Sequence, residues 1–268
     1  MNLTDIEKIN TGFGNMADEY DSMQNTNIPV KKMREKFYKT VESFVKPPAI
    51  LLELNCGTGI DAFYFANAGY NVTATDISDK MLMNARSKGT LKNLSFEKLN
   101  LTELNKAAGK LALRSKYDLV ISNLGGLNCL NDLSKLNRNV SELLNPKGFF
   151  IVSVMPQFCL WEFALIFKGE FKRSLRRLKR DGVIANIGGE KILVRYYSPK
   201  KFYNYFKNNF HLRKTTGLRI FAPPQPASHW YQNHPSITKF LDSIDDKIES
   251  FYFSSFTGDY YIAVLQKV

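Results

Sequence analysis

At 268 residues, with 44% hydrophobic and 23% charged side chains, the chain is long enough to bury a sizeable core and has an ordinary globular composition. No stretch reaches the apolar length of a membrane span, and Met1-Asn2-Leu3-Thr4-Asp5 lacks the basic start and apolar core of a secretion signal. A cytoplasmic protein without a transmembrane segment is therefore expected. The net charge of +12 favours an anionic partner such as nucleic acid, a membrane surface or an acidic substrate, without choosing among them. Cys56, Cys129 and Cys159 show no metal-ligand spacing, so neither disulfides nor a bound metal is expected.

Residues 1–30 are polar and turn-rich. After Pro29, Met33, Phe37, Val41 and Phe44 recur at helical spacing until Pro47-Pro48. Residues 1–45 thus read as an N-terminal cap packed beside a sheet. From Ile50 the pattern alternates: strands at 50–54, 71–76, 93–98, 117–122 and 148–154, with helices at 60–68, 79–88 and 131–144. Repeated β-α units of this length imply an α/β fold with a parallel sheet and helices on both faces.

After Met155-Pro156 the rhythm changes. Residues 158–180 are aromatic and then strongly basic, 183–197 read as a hairpin around Gly188-Gly189, and 199–208 and 210–220 resume as helix and strand. Pro223, Pro224 and Pro226 open a second irregular stretch to about 256, before a last strand at 260–265. The expectation is one domain over 1–268, in which a core over 46–155 carries two lid insertions, 156–197 and 222–256.

The stretch 49–61, Ala-Ile-Leu-Leu-Glu-Leu-Asn-Cys-Gly-Thr-Gly-Ile-Asp, puts a buried strand, a glycine turn and a helix start in sequence. In an α/β sheet such a junction lies at the carboxyl end of a strand, where ligands bind. Gly57-x-Gly59-x-x-Ala62 partly matches a dinucleotide fingerprint, and Asp76 stands where a ribose-binding acid belongs. Two acids oppose a pyrophosphate: Glu53 inside the strand, and Asp61 in the first helical turn, where a phosphate would seek the positive helix end. A cationic ligand without phosphate suits them better.

These residues resemble a class I S-adenosylmethionine-dependent methyltransferase of small-molecule type. The resemblance rests on Leu52-Glu53-Leu54-Asn55-Cys56-Gly57-Thr58-Gly59, Asp76-Ile77, Glu97-Lys98-Leu99-Asn100-Leu101, Tyr117-Asp118-Leu119-Val120-Ile121-Ser122-Asn123 and Leu143-Leu144-Asn145-Pro146-Lys147-Gly148-Phe149. It implies a Rossmann-like seven-stranded, mostly parallel sheet with the last strand antiparallel, and S-adenosyl-L-methionine as cofactor. The implied cofactor contacts are Tyr20, Glu53, Asn55, Cys56, Gly57, Gly59, Asp76, Ile77, Met81, Asn100, Leu101, Asn123 and Leu124. Two positions depart from the family's pattern: Asn55 replaces a customary glycine and Asn100 a customary aspartate, whose side-chain carbonyl remains able to accept from an adenine amino group.

Methyl transfer is an in-line displacement that asks chiefly for alignment and exclusion of water, so no catalytic residue is assigned. Neither an Asn-Pro-Pro-Tyr type of motif nor a Pro-Cys pair is present, which argues against chemistry on a flipped base. The acceptor is expected between the fourth and fifth strand ends and the lids, near Asn128, Met155, Trp161, Tyr197, His229 and Trp230, and is read as a small or lipid-like molecule. The basic segment 168–180, with Phe171, Leu175 and Leu178 at helical spacing, suits a lid helix packed on the body first, then peripheral membrane contact, then RNA. An RNA methyltransferase and a non-catalytic binding module that keeps the fold are the rival readings.

Overall fold

The computed structural model describes residues 3–104, 116–130 and 132–268. Three helices come first, α1 (Leu3–Asn15), α2 (Ala17–Thr26) and α3 (Ile28–Phe44). The alternating core follows: β1 (Ile50–Leu54), α4 (Ile60–Asn67), β2 (Asn71–Asp76), α5 (Asp79–Ser87), β3 (Leu94–Lys98), β4 (Tyr117–Ser122), α6 (Ser134–Leu143) and β5 (Leu144–Val154). The hairpin β6 (Val183–Ile187) and β7 (Glu190–Val194) precedes α7 (Pro199–Phe206) and β8 (Phe210–Leu218). Last come α8 (Ser228–Asn233), α9 (Pro235–Ile248) and β9 (Tyr260–Lys267).

Seven of these strands form one sheet in the order β3-β2-β1-β4-β5-β9-β8. β1 to β5 pair in parallel, and β9 runs antiparallel to both β5 and β8. The Rossmann-like sheet with an antiparallel last strand is thus present. Strand residues alternate between two cores: Leu52, Val120 and Phe150 face α6 and α7, while Leu51, Leu119, Ile121 and Ile151 face α3 and α4. Both faces being covered explains why these strands read as nearly continuous apolar runs. The Asn145–Gly148 turn lies inside β5 as an irregularity: Tyr117 pairs with Leu144 and Leu119 already with Phe149.

Two regions differ from the expectation. Residues 3–26 are helical although Gly12, Gly14 and several asparagines disfavour it. Contact decides here, because a Cβ on Gly12 would stand 2.5 Å from the Ile187 carbonyl, so the glycine lets α1 lie directly on the hairpin turn. The basic segment is no continuous helix either. It is a chain of short turns at 160–163, 164–168, 171–174 and 176–178, broken at Gly169, whose φ is +76°.

The second insertion packs against α3 instead of roofing the sheet edge. Lys32 reaches Asp242 at 2.6 Å, and Lys36 reaches Asp246 at 2.9 Å and Glu249 at 2.7 Å. Asp245 accepts from the backbone N–H groups of Ile220, Phe221 and Ala222 at 3.0, 2.8 and 3.2 Å, fixing the chain at the start of the insertion. The acidic face of α9 therefore finds its partner on the flank of the protein.

Candidate active site

β1 ends in a turn that reverses the chain through left-handed backbone at Asn55 (φ +60°), Gly57 (φ +55°) and Gly59 (φ +79°). After glycine, asparagine is among the residues that enter this region most readily, so Asn55 keeps the turn that a glycine would make. Gly59 is required twice over, since a Cβ there would meet the Phe96 ring at 2.8 Å. At the end of β2, Asp76 accepts from the Gly57 N–H at 2.8 Å and, through its other oxygen, from the Ser78 N–H at 2.8 Å. Both oxygens keep acceptor capacity. Burial pushes the Asp76 carboxyl up, and the surrounding backbone N–H groups pull it back.

α2 closes over this turn. Asp21 accepts from the Thr58 hydroxyl and pairs with Lys88, whose ammonium also donates to the Thr58 carbonyl at 2.7 Å. The clasp sets Tyr20 against Gly57, its ring 3.6 Å from where a Gly57 Cβ would stand.

Beneath the turn lies a buried charge cluster. Arg34 of α3 forms an ion pair with Asp61 of α4, which also accepts from the Tyr38 hydroxyl and, at 3.0 Å, from the Asn123 amide. Asn123 in turn accepts from Ser153 Oγ at 2.7 Å. Asp61 is thus charge-compensated, which weakens the sequence argument that it would repel a pyrophosphate by itself. Burial first, and then Asp61, raise the Glu53 carboxyl well above its ordinary value, and one of its oxygens has no hydrogen-bond partner among the described residues.

Turn, cluster and strand ends enclose a cavity of about 250 Å³. Eleven of the expected cofactor contacts line it: Tyr20, Asn55, Cys56, Gly57, Asp76, Ile77, Met81, Asn100, Leu101, Asn123 and Leu124. Glu53 and Gly59 do not, lying behind the wall as a buried acid and a turn residue. Asn100 also departs from its expected use, because its carbonyl is already taken by Thr102, whose N–H and hydroxyl donate at 3.0 and 2.9 Å. Leu124 has a left-handed backbone (φ +49°) at the end of β4, where Gly125 packs against Tyr260. Such strain collects at working ends of sheets.

Besides Met155 and Asp61, which the sequence reading places near a ligand, much of the remaining wall is not anticipated. Ile6, Ile9 and Phe13 of α1 and Ile187 and Val194 of the hairpin form an apolar roof, with Cys129, Leu130 and Met155 below. Leu99, Gly125, Gly126, Arg34, Asp61 and Tyr260 complete the lining. Arg34 alone had a usable signal, as a cation on an otherwise apolar stripe of α3. Burial pushes the Cys129 thiol up to about 12, which keeps it protonated and unreactive.

Of the expected acceptor residues, Met155 alone lies at the cavity. Asn128 is a buried tie, donating to the Arg195 carbonyl at 2.6 Å and accepting from the Met155 N–H at 3.0 Å. Tyr197 is in the core, its hydroxyl on the Leu130 carbonyl at 2.9 Å. Trp161 donates to the Phe221 carbonyl at 2.9 Å, and His229 and Trp230 sit on α8, which packs on α3. Sequence position near a lid did not reveal which insertion covers the strand ends.

The comparisons agree with this architecture. Residues 52–150 match the family described as Methyltransferase domain. The chain is 28% identical over 153 residues to a malonyl-[acyl-carrier protein] O-methyltransferase of Pseudescherichia vulneris, 55% of this chain and 53% of that protein. The chain thus spans about half the length of that relative. A protein of the same description from Bacillus cereus is 25% identical over 224 residues, covering 81% of this chain and 76% of its own. Among solved structures, the CcbJ methyltransferase of Streptomyces caelestis is 18% identical and superposes with a TM-score of 0.60 over 97% of this chain and 99% of its own. An S-adenosylmethionine dependent methyltransferase of Mesorhizobium loti, also 18% identical, gives 0.55 over 85% and 96%. Residues 52–150 thus match a methyltransferase domain, and the fold around them is one shared with S-adenosylmethionine-dependent methyltransferases.

Proposed function

We propose that the protein transfers a methyl group from S-adenosylmethionine to a small or lipid-like acceptor lying against the roof formed by α1 and the hairpin. The observation that carries the reading is the division of one cavity into a polar, net acidic floor and an apolar roof. When bound, the cofactor supplies a methyl group made electrophilic by a sulfonium. Asp76 is the acceptor for ribose hydroxyls, and Ile77, Met81, Leu99 and Leu101 offer the apolar walls a flat base needs. Arg34 is the cation facing a carboxylate, and Asp61 with Asp76 leaves the floor net negative toward an ammonium and a sulfonium. Ile6, Ile9, Phe13, Ile187 and Val194 exclude water from the reacting end and orient an apolar acceptor.

Two relatives named malonyl-[acyl-carrier protein] O-methyltransferase support a small or lipid-like acceptor. Titration calorimetry with S-adenosylmethionine tests the cofactor half. The wild type should bind, and Asp76→Ala should lose about tenfold or more, the worth of a hydrogen bond to a charged group. Absence of binding to the wild type overturns it. Methyl-labelled cofactor incubated with cell extract tests the acceptor half: label in small molecules, lipid or a carrier-bound acyl group is expected, and label confined to RNA or to protein side chains overturns it.

A further inference from the structure

We infer that the segment 163–180 docks this protein on an anionic lipid surface. The large apolar residues Phe167, Phe171, Leu175 and Leu178 are 88, 61, 42 and 50% exposed. In the same stretch Ser174 and Arg177 turn inward, so the apolar side chains are held outward by a fixed backbone.

Arg177 does the holding. It donates to Asp259 Oδ1 at 2.6 Å, to the Asp259 carbonyl at 2.9 Å and to Glu162 Oε1 at 2.9 Å. Arg176 binds the same Glu162 through two hydrogen bonds, at 2.7 and 2.6 Å. These internal pairs cancel part of the charge. Lys168, Lys172, Lys179 and Arg180 make no ion pair among the described residues and stand exposed among the apolar side chains. An exposed apolar row with interspersed cations is the pattern that inserts at a headgroup boundary while its charges meet anionic lipid.

RNA fits less well. Leu175 and Leu178 gain nothing from a phosphate backbone and offer no ring to stack on a base, so half of the apolar row would have no role. Asp259, the anchor of Arg177, immediately precedes Tyr260, which lines the cavity. The docked segment is thereby tied to the cavity wall, although docking itself requires neither cofactor nor acceptor.

The test is co-sedimentation of the full chain with vesicles of phosphatidylcholine alone and of equimolar phosphatidylcholine and phosphatidylglycerol, without cofactor. Binding is expected to the anionic vesicles. Lys168→Gln with Lys172→Gln should weaken it about thirtyfold, from the attraction of two basic residues to the surface. Phe167→Ser with Phe171→Ser should weaken it at least about tenfold even at low salt. All four positions are exposed, and an unchanged melting temperature shows that the variants fold. Failure of the wild type to bind overturns the inference. So does serine-variant binding equal to wild type, which marks a purely electrostatic surface, or an RNA gel shift by wild type and serine variant alike without vesicle binding.

Discussion

The side chain of Asn55 occupies the space that any side chain at Gly126 would need: a Cβ built there would lie 2.3 Å from the Asn55 amide nitrogen and 2.8 Å from its Cβ. Two turns distant in sequence, at the ends of β1 and β4, therefore constrain each other. Gly126→Ala should destabilise the protein by about 1–3 kcal/mol, the usual range for overpacking. Adding Asn55→Gly should recover most of that loss, because it removes the obstruction and glycine also tolerates the left-handed backbone. Denaturant unfolding of the two single variants and the double variant measures the coupling.

Arg34 and Asp61 are both buried in the cavity wall. Arg34→Met should cost about 3–5 kcal/mol, since it strands a buried carboxylate, whereas Arg34→Met with Asp61→Leu should cost less. Calorimetry on the folded single variant should also show weaker cofactor binding, through loss of the cation facing the carboxylate.

Glu53 supplies a pH signature. A buried carboxyl whose folded value is raised above the ordinary 4.5 contributes no penalty below that value, and the folded state loses stability as pH rises from there toward the raised one. Glu53→Gln should therefore melt higher than wild type at neutral and alkaline pH. The gap should close as pH falls toward 4.5. A gap that does not depend on pH would refute the assignment of the penalty to ionisation.

The roof depends on a backbone contact. A Cβ on Gly188 would overlap the Gly12 carbonyl, at 1.9 Å, and Gly188 itself has φ +56°, while Asn15 donates to the Gly188 carbonyl at 2.9 Å. Gly188→Ala should pry α1 from the hairpin. Limited proteolysis should then cut within residues 3–15 faster, and turnover should fall more than cofactor affinity, because Asp76 and Gly57 are untouched.

The sheet was legible because its signals are local. Apolar runs of strand length, the glycine turn after Leu54 and the acid ending β2 each speak for themselves, and together they marked the core strands and the strand ends at which the cofactor is expected. The acceptor side was not, because it depends on contacts between distant segments. Gly12 and Gly14 argue against a helix until the hairpin that α1 leans on is known. Trp161, Tyr197, His229 and Trp230 looked suited to a pocket, yet Lys32 and Lys36 draw the second insertion with His229 and Trp230 to the flank, and Trp161 and Tyr197 are tied to the carbonyls of Phe221 and Leu130. Nothing in local periodicity records such a pairing.

The two strips of the roof, residues 3–15 and 183–194, are separated by nearly the whole cofactor-binding core and contribute no strand to the main sheet. Under the proposed function, acceptor preference could therefore be rewritten in those strips while the residues that grip the cofactor stay as they are.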